Sequence, residues 1–166
     1  MAVPVVLIDE TNGSGATDTP GITGIVYASS DLPSSTAGLA AAHPILSGAN
    51  SFEKWLRAKV ATAATTSLDN FTVGWSPTAP VDAAGSSNTI TVKFGVDASY
   101  VQPTANASIV ATAVCAGASP TAITAPANTV GAYGGYITSQ LQVGPYAAFG
   151  DMTFPAQWMT LSYTYV

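Results

Sequence analysis

The 166-residue sequence predicts an all-β chain, an antiparallel β-sandwich with long Ala/Thr/Ser/Gly/Pro-rich loops, and three observations carry that expectation. Short runs alternate apolar and polar residues with the two-residue period of a half-buried strand. β-Branched and aromatic residues crowd those runs, as packing on a pleated surface favours. Clusters of Gly, Pro, Asn and Ser break the chain every few residues, and short strands at such spacing build sandwiches or barrels. At this length a single domain over 1–166 is the default. Residues 1–21 are expected to stand as an extended N-terminal arm of that domain.

Val3 to Ile8 is short and Val-rich, and Thr11-Asn12-Gly13-Ser14-Gly15 follows it with an Asn-Gly, the strongest short hairpin signal. Ile22 to Ala28 contains Ile-Val-Tyr and reads as another strand. The next segment is ambiguous. Phe52, Trp55, Leu56, Lys59, Val60 and Ala63 fall at helical spacing, and Asn50 with Glu53 matches a capping box, so periodicity alone favours a helix. As a strand, the same residues set Phe52, Lys54, Leu56, Ala58 and Val60 against Glu53, Trp55, Arg57 and Lys59. Asn88 to Val96 alternates cleanly, with Ile90, Val92, Phe94 and Val96 on one face. Residues 109–115 form an apolar run that ends in Cys115. Gly131-Ala132-Tyr133-Gly134-Gly135 reads as a flexible turn before Tyr136 to Val143, in which Ile137, Ser139, Leu141 and Val143 oppose Tyr136, Thr138, Gln140 and Gln142. Val143-Gly144-Pro145 ends that strand. Trp158 to Val166 closes the chain with Met159, Leu161, Tyr163 and Tyr165 on one face.

Composition excludes several functions. Only 8% of the residues are charged, against roughly 25% in an ordinary soluble domain. Four basic against nine acidic side chains leave a net charge of −5, and so few cations cannot track a phosphate backbone. No nucleic-acid partner is expected. At 48% apolar residues the composition is the reverse of a disordered chain, and no charge-laced heptad marks a coiled coil. The N-terminal residues lack the positive start of a secretory signal, and no window approaches the ~20 apolar residues of a membrane span. A soluble protein made in a reducing cytoplasm, with no membrane partner, is expected. Cys115, alone, reads as a small buried apolar residue. The surface must then be built largely from Ala (29), Thr (21) and Ser (16). Such a surface loses little side-chain entropy on close packing, which suits a closed homo-oligomer.

The chemical inventory is poor, and no catalytic residue, cofactor site or metal site is expected. His43 is the one histidine and lies in a loop-like Ala-Ala-His-Pro context. Asp9, Glu10 and Asn12 before Gly13 partly match a calcium loop, but the distal bidentate Glu is missing and a hairpin turn accounts for them better. Gly131 to Gly135 lacks the Gly-Lys-Ser/Thr of a phosphate loop. Lys54, Arg57 and Lys59 gather beside Trp55. Their functional reading is a contact to an acidic partner surface, and their plainer reading is a solvated strand face paired with nearby carboxylates. The aromatics Trp55, Trp75, Tyr133, Tyr136 and Trp158 would stack on sugars if exposed, though most aromatics of a sandwich are core.

Two stretches carry a family resemblance. Asn50-Ser51-Phe52-Glu53-Lys54-Trp55-Leu56-Arg57-Ala58-Lys59-Val60, followed by Leu68-Asp69-Asn70-Phe71-Thr72-Val73-Gly74-Trp75, resembles a pattern of structural proteins of tailed-bacteriophage virions. Tyr136 to Val143 with Trp158 to Val166 is similar to the last two strands of such domains. The middle, 76–132, matches in its Ala/Thr/Ser richness alone. The resemblance implies a jelly-roll-like sandwich in which 52–60 and 68–75, joined by a polar turn, form adjacent strands. It also implies a non-enzymatic virion structural protein, foremost a capsid decoration (auxiliary) protein. That protein would be made in the host cytoplasm and carried on the capsid surface. It would bind the major capsid protein or other virion proteins and associate with itself as a homotrimer. Lys54, Trp55, Arg57 and Lys59 are the candidate contacts. The alternative is a carbohydrate- or receptor-binding sandwich module of a phage tail or fibre.

Overall fold

Alternation of buried and exposed residues organises the chain into two antiparallel sheets in the computed structural model, which describes residues 3–106 and 113–166. The strands are β1 (Val5–Asn12), β2 (Thr17–Thr19), β3 (Lys54–Thr62), β4 (Leu68–Trp75), β5 (Ile90–Asp97), β6 (Ala113–Val114), β7 (Thr121–Ala122), β8 (Tyr133–Val143) and β9 (Met159–Tyr165). One four-residue helix, α1 (Leu39–Ala42), lies between β2 and β3. The wide sheet runs β2-β1-β3-β8-β5-β6 and the narrow one β7-β4-β9. From β3 onward the chain changes sheet at every connection except β5 to β6. The all-β sandwich expected from the sequence is therefore the observed architecture. The consecutive strands of each resembling stretch, β3 with β4 and β8 with β9, lie in different sheets rather than side by side.

Strand parity decides the ambiguous segment. In β3, Leu56, Ala58 and Val60 all point into the core, whereas a helix would have turned them to different sides. β1 and β8 flank it, with Glu10 opposite Leu56 and Leu56 opposite Ile137. From the wide sheet Val92, Phe94, Ile137 and Leu141 meet Phe71, Val73 and Trp75 of the narrow one. Trp75 lies 5.3 Å from Phe94, and Phe71 stacks at 5.2 Å on Tyr163. Each such side chain stabilises the fold by ~1.5–3 kcal/mol through burial. Cys115 sits in this core as a free, fully buried thiol. Residues 109–112 of its apolar run lie outside the described residues.

Three expectations need correction. Residues 1–21 are not an arm. From Val5 the chain pairs with β3, and Asn12-Gly13 turns it back into β2, with Gly13 at φ 72°. Val6 and Ile8 pack on the core, which gives the segment an apolar reason to dock. Ile22 to Ala28 is not a strand but an irregular segment laid across the inner face of the wide sheet, burying Tyr27 and Ala28. Gly134 and Gly135 are not a flexible turn, because β8 begins at Tyr133. A Cβ on Gly134 would lie 2.6 Å from the Thr124 carbonyl oxygen, so the close approach of 124–126 demands glycine.

The segment 20–47 covers the part of the wide sheet that the narrow one does not reach, and a buried ion pair fastens it. Lys54 Nζ donates to Glu10 Oε1 at 3.0 Å and to the Leu32 carbonyl at 2.7 Å. Glu10 Oε2 accepts the Ser34 N–H at 2.8 Å, and Oε1 also accepts Asn12 Nδ2 at 3.2 Å. Both charged side chains are fully buried. Tyr27 completes the seam by donating to Ser139 Oγ at 3.0 Å. Removing one partner strands the other charge out of water, at a cost of ~3–5 kcal/mol. Lys54→Met is therefore expected to lose that amount in a urea titration, whereas Lys93→Met, on a half-buried residue with no such role, is expected to shift the midpoint little.

Candidate functional site

The residues predicted as a partner contact separate onto the two faces of β3. Lys54 turns inward and is consumed by Glu10. Trp55 turns outward yet is fully buried, because Tyr100 and Tyr136 pack edge-on against it at 5.3 and 5.5 Å. Neither side chain can meet a partner on this surface, which corrects the expectation for Lys54 and Trp55. Arg57 and Lys59 remain half-exposed on the outer face, and both are engaged. Arg57 pairs with Asp18 across the hairpin and lays its guanidinium over the Tyr133 ring at 3.7 Å. Lys59 lies 3.4 Å from Asp9, which also accepts the Tyr133 hydroxyl at 2.9 Å and the Gly21 N–H at 2.9 Å. Hydrogen bonding to Tyr133 and the charge of Asp9 hold the Lys59 ammonium above its ordinary range. The plainer reading, pairing with neighbouring carboxylates, describes both cations.

The aromatics divide in the same way. Trp55, Trp75 and Trp158 are buried, so they offer no ring to a sugar. Tyr100, Tyr133 and Tyr136 gather half-exposed on the outer face of the wide sheet. His43 caps the C-terminal end of α1, and its carbonyl accepts the Ser29 N–H at 3.0 Å. Asp9, Glu10 and Asn12 serve the ion pairs and the hairpin, and among the described residues no group of three or more His, Cys, Asp or Glu gathers as a metal site.

A feature the sequence reading passed over lies at the end of the sandwich. Between the segment 36–47 and the β8–β9 connection opens a cavity of about 840 Å³, walled by Val26, Leu39, Ile45, Ala147, Met152 and Phe154. It reaches down to Ile90, Leu141 and Val143 of the wide sheet. At its rim Tyr146 is 89% exposed and Phe149 86% exposed. Isolated exposed apolar side chains need no explanation, but two aromatics beside an apolar hollow do. The available signal was Gly144-Pro145-Tyr146-Ala147-Ala148-Phe149-Gly150, a turn whose two aromatics belong to no alternating run.

Asp82 holds this rim in place. Its Oδ1 accepts the Ala84 and Ser86 N–H groups at 3.0 and 2.9 Å, and its Oδ2 accepts Thr89 Oγ1 at 2.7 Å and the Ala148 N–H at 2.9 Å. Val81 pairs with Thr153 on the far side, so the connection is anchored at both ends of its exposed turn. Thr89 first, then the backbone donors, hold the Asp82 carboxyl down at about 2 from an ordinary 3.8. Because the folded value is depressed, its contribution to stability is complete above about pH 4 and is lost as pH falls through 2. Asp82→Asn is expected to lower the melting temperature at neutral pH, and its melting temperature is expected to fall less than wild type's between pH 4 and pH 2.

Comparison with protein-family models, with curated proteins and with solved structures finds no match for this chain, so its function is argued from its own residues.

Proposed function

We propose that this chain is a non-enzymatic structural protein of a tailed-bacteriophage virion, a capsid decoration (auxiliary) protein. It binds the major capsid protein of the assembled shell and associates with its own copies, foremost as a homotrimer. One observation carries the reading: the folded protein presents almost no free positive charge. Of its four cations, Lys54, Arg57 and Lys59 are paired with Glu10, Asp18 and Asp9. The outer face of the narrow sheet shows what takes their place, with Thr72, Gly74, Thr160, Ser162 and Thr164 side by side and Asp69, opposite Thr164, as the charge at its end. Short uncharged side chains lose little rotamer freedom and little hydration on contact, so such a face is cheap to cover with protein. In solution it gives up the charge that normally keeps a dispersed protein soluble. That combination suits a component held in an assembly.

The resemblance of 50–75 and 136–166 to virion structural proteins supports the same reading, as does the sandwich fold. Shells of the encoding phage made with the gene deleted provide the test. Added purified chain is expected to co-sediment with them saturably and to raise the temperature at which they break. Images of particles with and without it are expected to differ by density at the local symmetry axes of the capsid. Shells that bind none of it, and particles whose capsid images are identical, refute the reading.

A second reading is favoured by the tyrosines alone. Tyr100, Tyr133 and Tyr136 share one half-exposed face near Asp18 and Asp97, and half-exposed rings beside carboxylates would suit a glycan-binding module of a tail or fibre. For that reading, glycan-array binding lost in Tyr136→Ala is the expected result, and an array without signal removes it.

A further inference from the structure

We infer that β9 is a pairing edge: the β9 strands of two copies of this chain join antiparallel about a two-fold axis at Ser162, and the two narrow sheets become one sheet of six strands. The inference goes beyond the proposed function and does not need it.

Two sheets present four edges, and three of them are short. β2 spans three residues, and β6 and β7 span two each among the described residues. β9 spans seven and ends the order β7-β4-β9. Its bonds to β4 fix which way its backbone faces. The Ser76 N–H donates to the Trp158 carbonyl at 2.9 Å, and Val166 and Ser67 exchange both of their backbone bonds. Residues of an antiparallel strand alternate between its two sides, so 158, 160, 162, 164 and 166 turn to β4. Met159, Leu161, Tyr163 and Tyr165 turn their N–H and carbonyl groups the other way. Among the described residues, no backbone hydrogen bond reaches those groups. Natural edges of this length are blunted by a lysine, a proline or an inward charge, and β9 carries none of these. What such an edge accepts is an extended backbone.

The strand that matches it is β9 of a second copy. With Ser162 opposite Ser162, Leu161 meets Tyr163 and Met159 meets Tyr165, so every outward residue of one copy faces an outward residue of the other. All the free backbone groups of both strands are then bonded. The same register sets aliphatic or thioether side chains against aromatic ones on the inner face and Thr160 against Thr164 on the outer face, pairings that stabilise antiparallel strands. The strand is uncharged, so the two-fold axis brings no like charges of β9 together. At its Met159 end the edge opens on a hollow of about 390 Å³ walled by Ile8, Ile22, Ile25, Phe154 and Trp158. Tyr165 of the second copy arrives opposite Met159, on the side of that hollow, where its ring has room. A strand of unrelated sequence would bond the amides without matching these side chains.

Sedimentation velocity over a range of concentrations, with a register-specific cross-link, tests the inference. Wild type is expected to associate by twos, as dimers where the edge acts alone and as hexamers where it joins trimers. Ser162 is exposed and its backbone is spent on β4, so its side chain can change without loss of the fold. Ser162→Lys and Ser162→Glu are each expected to lose the two-fold association with far-ultraviolet spectra unchanged, because like charges then face each other across the axis. An equal mixture of the two is expected to regain it. Residues facing across the axis lie ~4.5 Å apart at Cα, within the span of a disulfide. Ser162→Cys is therefore expected to form a disulfide dimer under mild oxidation. Thr160→Cys, four residues out of register with its own equivalent, is expected to form none, and Cys115 is buried and silent. Wild type that stays monomeric or trimeric at every concentration overturns the inference and leaves the edge to a strand of another protein. Association that survives both charge variants overturns it, as does a mixture that stays apart. A Ser162→Cys chain that dimerises no better than Thr160→Cys overturns it whatever the charge variants do. The virion reading stands or falls separately, on shell binding by wild type.

Discussion

The buried Lys54–Glu10 pair is the constraint on which the rest of this structure depends. Two sheets of unequal width cannot seal a sandwich by themselves, and six strands face three. The uncovered part of the wide sheet must be closed by chain without regular structure, whose backbone groups then need partners. Lys54 and Glu10 supply them, taking the Leu32 carbonyl and the Ser34 N–H while neutralising each other. A hydrophobic pair of similar volume would pack the same space but would leave both backbone groups unmet. The ion pair therefore acts less as a source of net stability than as the device that decides where segment 20–47 lies.

The same pairing shapes the outside of the protein. A chain with four cations that places one in its interior and holds two more against Asp9 and Asp18 has little charge left to display. The hairpin β1–β2 is what makes this possible, because Asp9 and Asp18 come from its two strands and meet β3 from one side. The low charge of the sequence thus becomes lower still at the surface.

Much of the fold was legible because it is local. β5, β8 and β9 announce themselves by period-two alternation, and of the faces read from it Ile90, Val92, Phe94, Ile137 and Leu141 are buried, while Val96 and Tyr165, near strand ends, are 41% exposed. Asn12-Gly13 marks its hairpin through backbone preference alone. The segment around Trp55 was undecidable by period, since its apolar positions fit both a helical stripe and a strand face. Lys54 was misplaced for a different reason. Nothing near it in sequence explains a buried ammonium, because its partner lies 44 residues away. Trp55 likewise owes its burial to Tyr100 and Tyr136, both distant in sequence. A short Val-rich run says nothing about which edge it will join, so the N-terminal sequence suggests an arm where the fold has a strand. The cavity, a gap between segments, left a trace only in Tyr146 and Phe149, two aromatics that belong to no alternating run.

That gap follows from the same mismatch of widths. Segment 20–47 covers the wide sheet from one side, and the long β8–β9 connection approaches from the other as the chain crosses to the narrow sheet. Ile25, Tyr27 and Leu39 come from the first, Met152 and Phe154 from the second, and Ile90, Leu141 and Val143 form the floor. Close packing there would need large side chains pointing inward from the connection. The connection fills it only in part: Met152 and Phe154 reach the hollow with Ala147 and Ala148, while Tyr146 and Phe149 stay 89% and 86% exposed. An interior normally closes to near-crystalline density, and here two segments of irregular chain meet over the wide sheet without doing so.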